Sequence, residues 1–211
     1  MSRQGQDRRH LLKRVPHNAL FPLPYEENEK LMKTRLLIVL PVVIVLGACS
    51  YTSPRYSINA DTNVALKSLG ATNIGVGPFA GPSSFSKTCR GLRPLEPPDG
   101  QTHTEYLRKA LEDELKVAGA YGASNPRIVL SGTVNKLEFS SIRGLTGGSW
   151  DIDLTLRSSN GRRLTAAEHY EFDSGLTADT ACRQTADAYM HTVQNLIKKI
   201  VQMPDFKAMV Q

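Results

Sequence analysis

The sequence predicts an α+β fold, a two-layer sandwich in β-α-β-β-β-α order, with a mixed four-stranded sheet and two helices on one face. Three observations predict it. A short apolar strand is followed by a stretch with apolar residues at helical spacing. Two alternating stretches joined by Asn160-Gly161 read as a hairpin. A stripe running from Cys182 to Ile200 closes the chain as a second helix. The β-α-β start implies a right-handed crossover between parallel strands, and the hairpin extends the sheet antiparallel. Both helices then share one face.

Ile74-Gly75-Val76-Gly77-Pro78-Phe79 is the first strand, ended by proline. Gly75, Gly77 and Ala80 match a G-x-G-x-x-A spacing, but Gly81-Pro82-Ser83 follows where a dinucleotide site needs a helix N-terminus, so no cofactor is expected. Residues 80–101 read as a long Gly/Pro/Ser-rich loop carrying Cys89. Lys87, Arg90 and Arg93 make it locally basic. They are the candidate partner contacts, set against the plainer reading of a solvated loop.

Thr102-His103-Thr104-Glu105 has the form of a capping box, and Leu107, Leu111, Leu115 and Ala118 give the helix its apolar face up to Gly119. In the next strand Ile128, Leu130 and Val134 share a face before the parity flips to Leu137 and Phe139. That flip predicts a bulge near Asn135-Lys136. Trp150 to Leu156 alternates cleanly, and Leu164 to Phe172 returns beside it. The last helix spans about Thr177 to Met203, with Cys182, Ala186, Tyr189, Val193, Leu196 and Ile200 inward and Pro204 stopping it.

The front of the chain reads differently. Lys33-Thr34-Arg35 leads into an apolar run, Leu36 to Val45, that ends in Leu46-Gly47-Ala48-Cys49. This is the order of a secretory signal, and Leu-Gly-Ala-Cys resembles the lipobox of bacterial lipoproteins. The resemblance implies cleavage between Ala48 and Cys49 and lipid on Cys49. A transmembrane anchor is the rival, but 13 residues broken by Pro41 fall short of the roughly 20 needed to span a bilayer. Ser50 follows the cysteine instead of the aspartate typical of inner-membrane retention, which implies outer-membrane sorting.

The organisation expected is therefore residues 1–31 as an over-extended N-terminus, with translation starting at Met32. Residues 32–48 are a lipoprotein signal peptide, 49–73 a lipidated cysteine and tether, and 74–211 a single periplasmic domain. Arg8-Arg9 could open a twin-arginine signal, but Lys13 interrupts the apolar residues behind it.

Charge and cysteine content change on this division. The chain has 26 basic and 20 acidic residues, of which 8 and 4 precede Cys49. The remainder is only +2, with no basic stripe, so nucleic acid is not an expected partner. With Cys49 lipidated, Cys89 and Cys182 are left as a pair in an oxidising compartment, and a bridge is favoured over two buried thiols.

There is no G-x-S-x-G, H-E-x-x-H or C-x-x-C. His103, His169 and His191 read as scattered surface histidines. Asp151 and Asp153 point the same way from one strand, but alternating charge also suits the wet face of a hairpin. No metal, no cofactor and no enzymatic activity are expected. A hydrolase would need a cleft gathering His169 or His191 with the two aspartates.

From the Ile74–Phe79 strand through the amphipathic helix, Ser131-Gly132-Thr133-Val134 and the Asn160-Gly161 hairpin, the pattern resembles small outer-membrane lipoproteins. These include the periplasmic domain of the curli-secretion lipoprotein and lipoprotein activators of penicillin-binding proteins. The anchor, the tether, the single stapled domain and the missing catalytic set together predict a lipid-anchored adaptor on the periplasmic face of the outer membrane, binding an envelope protein in assembly or transport. The alternative is a module for a small envelope ligand, a lipid or glycan fragment.

Overall fold

The computed structural model describes residues 49–82 and 84–211. The segments expected to be an over-extended N-terminus (1–31) and a signal peptide (32–48), Ala48 included, lie outside those residues. The main sheet has four strands in the order β2 (Ile74–Ala80), β5 (Ile128–Arg143), β6 (Gly147–Ser158) and β7 (Arg163–Asp173). β2 runs parallel to β5, with Ile74 opposite Ile128, and the other two pairings are antiparallel. This is the mixed sheet that the crossover and the hairpin require. α2 (His103–Val117) packs beside β2 and α3 (Ala178–Gln202) lies across β6 and β7.

The pattern of each element explains its place. Thr102 caps α2 by accepting the Glu105 backbone N–H at 3.1 Å. Glu105 does not reach back to complete a capping box; its carboxylate pairs with Arg108. Gly119, at φ 75°, ends the helical segment in the left-handed conformation that glycine adopts without strain. Leu107, Leu111 and Leu115 are buried, as are all six residues of the α3 stripe. Between them lie Trp150, Ile152, Leu154 and Leu156 from β6, each side chain contributing about 1.5–3 kcal/mol on full burial. The parity flip in β5 is a bulge: Val134 faces Leu154 and Lys136 faces Asp153, leaving Asn135 unpaired in the ladder. Without that extra residue Leu137 would turn out to water.

Trp150 and Tyr189, in the aromatic core, have their polar atoms satisfied from the backbone. Trp150 Nε1 donates to the Thr185 carbonyl at 2.7 Å, and the Tyr189 hydroxyl donates to the His103 carbonyl at 2.9 Å. These bonds tie α3 to the sheet and to the start of α2.

Two stretches depart from the sequence expectation. Residues 49–73 are not a tether. They form β1 (Tyr51–Thr52) and α1 (Ala60–Ser68) and belong to one compact unit with the rest of the described residues. The reason is a set of long-range polar contacts that periodicity cannot reveal. The Tyr51 hydroxyl donates to Asp179, that of Tyr56 to Glu114, and that of Tyr106 to the Pro54 carbonyl. Leu66 is the apolar peg of α1. The 80–101 stretch is likewise partly ordered. β3 (Thr88–Cys89) and β4 (Arg93–Glu96) make a small hairpin, and β1 adds to it parallel to β4 to give a second, three-stranded sheet. After Pro204 the chain adds α4 (Pro204–Val210), whose Phe206, Met209 and Val210 are buried. No helix among the described residues is long and apolar enough to cross a membrane.

Candidate functional site

Cys49 stands exposed with its sulfur unbonded. The fold starts almost at once. Tyr51 is buried in β1, its hydroxyl 3.0 Å from Asp179 in the first turn of α3 and its ring 5.9 Å beneath the Arg93 guanidinium. The hydrogen bonds from Arg183, which contributes most, and from the Tyr51 hydroxyl hold the Asp179 carboxyl below its usual value.

The bridge expected from the cysteine count is present. Cys89 and Cys182 are joined, their Cα atoms 5.9 Å apart and both side chains buried. It fastens the β3–β4 hairpin to the first turn of α3. Arg90, at φ 47°, sits in the turn beside it and reaches sideways. Its Nε donates to Ser141 Oγ at 3.1 Å, one Nη to the Ser141 carbonyl at 2.5 Å and the other to the Leu176 carbonyl at 3.5 Å. Of the three candidate contacts, Arg90 is therefore occupied inside the protein. Lys87 is ion-paired to Glu96 at 2.8 Å and holds that carboxyl below its usual value. Arg93 is exposed over Tyr51.

The histidines separate into three situations. His191 lies exposed on α3. His169 is on the sheet face away from the helices, its ring nitrogens 3.0 Å from Asp151 and 3.1 Å from Glu171. Asp153 is engaged there by Asn135. The structure brings His169 to Asp151, but on an open strand surface with both side chains substantially exposed. It builds no cleft around them.

His103 corrects the expectation of a surface residue, because its side chain is buried. It is wedged edge-on between Phe85 and Tyr189, at centroid distances of 4.8 and 4.9 Å. Burial, assisted by the charge of Lys87, lowers its pKa to about 4, so it is neutral at pH 7. It lines a half-open cavity of about 340 Å³ with Phe85, Lys87, Glu96, Gln101 and Leu137. His103 Nε2 and Gln101 Oε1 are both buried without a hydrogen-bond partner among the described residues. Two orphaned polar atoms in one cavity are a place for a hydrogen-bonding ligand or water.

Glu114 is a further buried ionisable group on the same helix. Its Oε1 accepts from the Tyr56 hydroxyl and the Asn59 backbone N–H, both at 2.7 Å, while Oε2 has no partner. Burial raises its pKa. The sequence expectation put His103 at the surface and did not single out Glu114, although a signal existed. His103, Leu107 and Leu111 are spaced by four on α2, and Glu114 follows three further on, so both fall on its inward stripe.

No protein-family model matches this chain, and no curated protein matches it. Solved structures do. XCC0632 from Xanthomonas campestris, of the DUF330 family, is 11% identical over 74% of this chain and 95% of its own, with a TM-score of 0.49. A minor lipoprotein from Acinetobacter baumannii is 14% identical over 64% of this chain and 91% of its own, with a TM-score of 0.40.

Proposed function

We propose that this protein is a lipid-anchored component of the bacterial envelope, held at the periplasmic face of the outer membrane through Cys49. Its role is that of a non-catalytic adaptor binding an envelope protein in assembly or transport. The observation that carries the anchor is Cys49 itself. It is exposed and unbonded, directly behind Leu46-Gly47-Ala48, with the folded domain beginning two residues later. The disulfide supports an oxidising compartment. For the adaptor role the support is the sheet surface opposite the helices, where Asn135, Asp151, Asp153, Thr155, Thr165 and His169 form a hydrogen-bonded polar face. A photo-crosslinking residue in place of Thr165, used on intact cells, is expected to trap one envelope protein reproducibly. Absence of any adduct at Thr165 and at His169 contradicts the adaptor role.

A second reading, a module for a small lipid or glycan fragment, is favoured by the His103 cavity with its two orphaned polar atoms. Trp150 lies 6.0 Å from the His103 ring and 6.4 Å from that of Phe85, so its emission reports on occupancy. Saturable change on titration with envelope glycan or lipid fragments, absent in His103→Phe, supports this reading. An unchanged spectrum throughout contradicts it.

A further inference from the structure

Four large apolar side chains stand in solvent at one end of the molecule. Ile142 (64% exposed) and Leu145 (88%) form the tip between β5 and β6, Leu176 (74%) lies in the turn before α3, and Leu92 (53%) in the turn between β3 and β4. Contacts hold these turns together. Arg90 joins the β3–β4 turn to the Ser141 and Leu176 carbonyls. The Ser174 backbone N–H donates to the Thr146 carbonyl at 2.7 Å, and the Ser174 hydroxyl donates to the Ser141 carbonyl at 3.0 Å.

The chain emerges toward Cys49 at this same end. β1 runs parallel to β4 with Tyr51 opposite Leu95, so two residues back Cys49 is level with Arg93, next to the Leu92 turn. Tyr51 is pinned to the first turn of α3, just past Leu176. Ser50, Arg93 and Arg183 line one depression. Between Cys49 and Tyr51 the backbone extends at most about 7 Å. A domain whose first strand is that close to its anchoring residue cannot stand clear of the surface that holds the anchor.

We propose that this end is a membrane-docking face, on which Leu145, Ile142, Leu176 and Leu92 dip into the bilayer that holds the Cys49 lipid. The proposal rests on the lipidation of Cys49 advanced above. Its occupant is a lipid surface, because the anchor end is where these side chains gather and the anchor leaves no room for another body between. Apolar groups seated at the headgroup boundary, flanked by Arg93, Arg143 and Arg183, suit such a surface. Arg143 and Arg183 are paired with Glu171 and Asp179, so the contact is apolar first and charged second.

The test uses the full chain, processed in cells, purified and reconstituted into phosphatidylethanolamine–phosphatidylglycerol vesicles. Leu145→Cys and Leu176→Cys variants carry an environment-sensitive fluorophore. Val64→Cys on α1 is the control, because α1 is joined through Asp61 to Lys198, roughly 28 Å along α3 from Asp179. Vesicle flotation is read first. Protein that does not float with vesicles overturns the anchor, and this inference with it. In floating protein, the labels at 145 and 176 are expected to shift to the blue and to be quenched several-fold more strongly than the label at 64 by nitroxide-bearing lipid. Floating protein whose 145 and 176 labels remain as wet as the label at 64 overturns the docking face while leaving the anchor intact. Labels that are dry in cells but wet in vesicles show a protein covering this end and overturn it as well.

Discussion

The β6–β7 hairpin and the 49–73 segment both pack on α3, yet different forces hold them. The hairpin is an apolar structure: Trp150, Ile152, Leu154, Leu156, Leu164 and Ala166 point into the core and are buried. The N-terminal segment buries only Tyr51 and Leu66 among its apolar side chains, packs Tyr56, Ala65, Leu69 and Ala71 partly against the core, and adds polar bonds to Asp179, Glu114 and Gln194. Burial of apolar area is non-directional and tolerates small shifts, whereas a buried hydrogen bond fails entirely once one partner is lost. The hairpin is therefore expected to unfold with the whole molecule, and the segment to open on its own at lower free energy.

The bridge lies in neither region but fastens α3, on which both pack, and removing it carries the largest expected effect. Cys89→Ser with Cys182→Ser frees a closed loop of 93 residues and is expected to cost about 4–5 kcal/mol in the chain-entropy description, seen as a fall in the denaturant midpoint. Because Cys182 sits beside Asp179, the N-terminal segment should also gain hydrogen exchange in the double variant before the hairpin does.

Acid should break the comparison from the core side. His103 is neutral in the folded state, with its pKa lowered from 6.5 to about 4. A depressed folded value gives stability that is present above the unfolded pKa and lost as pH falls through the folded one. Between pH 6.5 and 4 the protein is expected to lose about 3 kcal/mol from this residue alone. In His103→Phe that part of the pH dependence should vanish in urea titrations run across the window.

Glu114 has the opposite sign. Burial raises its folded pKa, so the stability it contributes is present below the ordinary carboxylate range and declines as pH rises through the folded value. Glu114→Ala strands the Tyr56 hydroxyl and the Asn59 N–H, at about 1–3 kcal/mol for each group left unsatisfied. Faster hydrogen exchange in residues 51–68, with β6 and β7 unchanged, would show that the segment opens separately. Equal acceleration in both would remove the distinction between the two regions. The smallest effect belongs to the exposed Lys198–Asp61 pair, where Lys198→Ala is expected to change stability by under about 1 kcal/mol.

What could be read from the sequence follows the same division. Elements built on periodic burial were legible: both long helices, the Asn160-Gly161 hairpin and the bulge at Asn135, because each leaves a phase in the apolar pattern. The Cys89–Cys182 pairing was legible from the count once Cys49 was set aside as the lipid carrier of an exported chain. The order in residues 51–68 was not, since Tyr51 meeting Asp179 or Tyr56 meeting Glu114 leaves no local trace. β3 and β4 were hidden similarly, being two and four residues long and fixed by a distant cysteine and by Arg90. Arg90 looked like a surface charge because no sequence pattern announces Ser141 and Leu176 as its partners. His103 was mistaken for a surface group because its place at the helix start suggested solvent. Its position four residues before Leu107 pointed inward.

The account as a whole turns on Cys49, and the most direct measurement is the intact mass of the protein purified from cell membranes, with fragmentation of its N-terminal peptide. The expected result is a chain beginning at Cys49 with diacylglyceryl and an N-acyl group on that residue, and no lipid and no cleavage at that site in Cys49→Ser. An unmodified Cys49 in the native protein, or a mature N-terminus anywhere before it, would contradict the account.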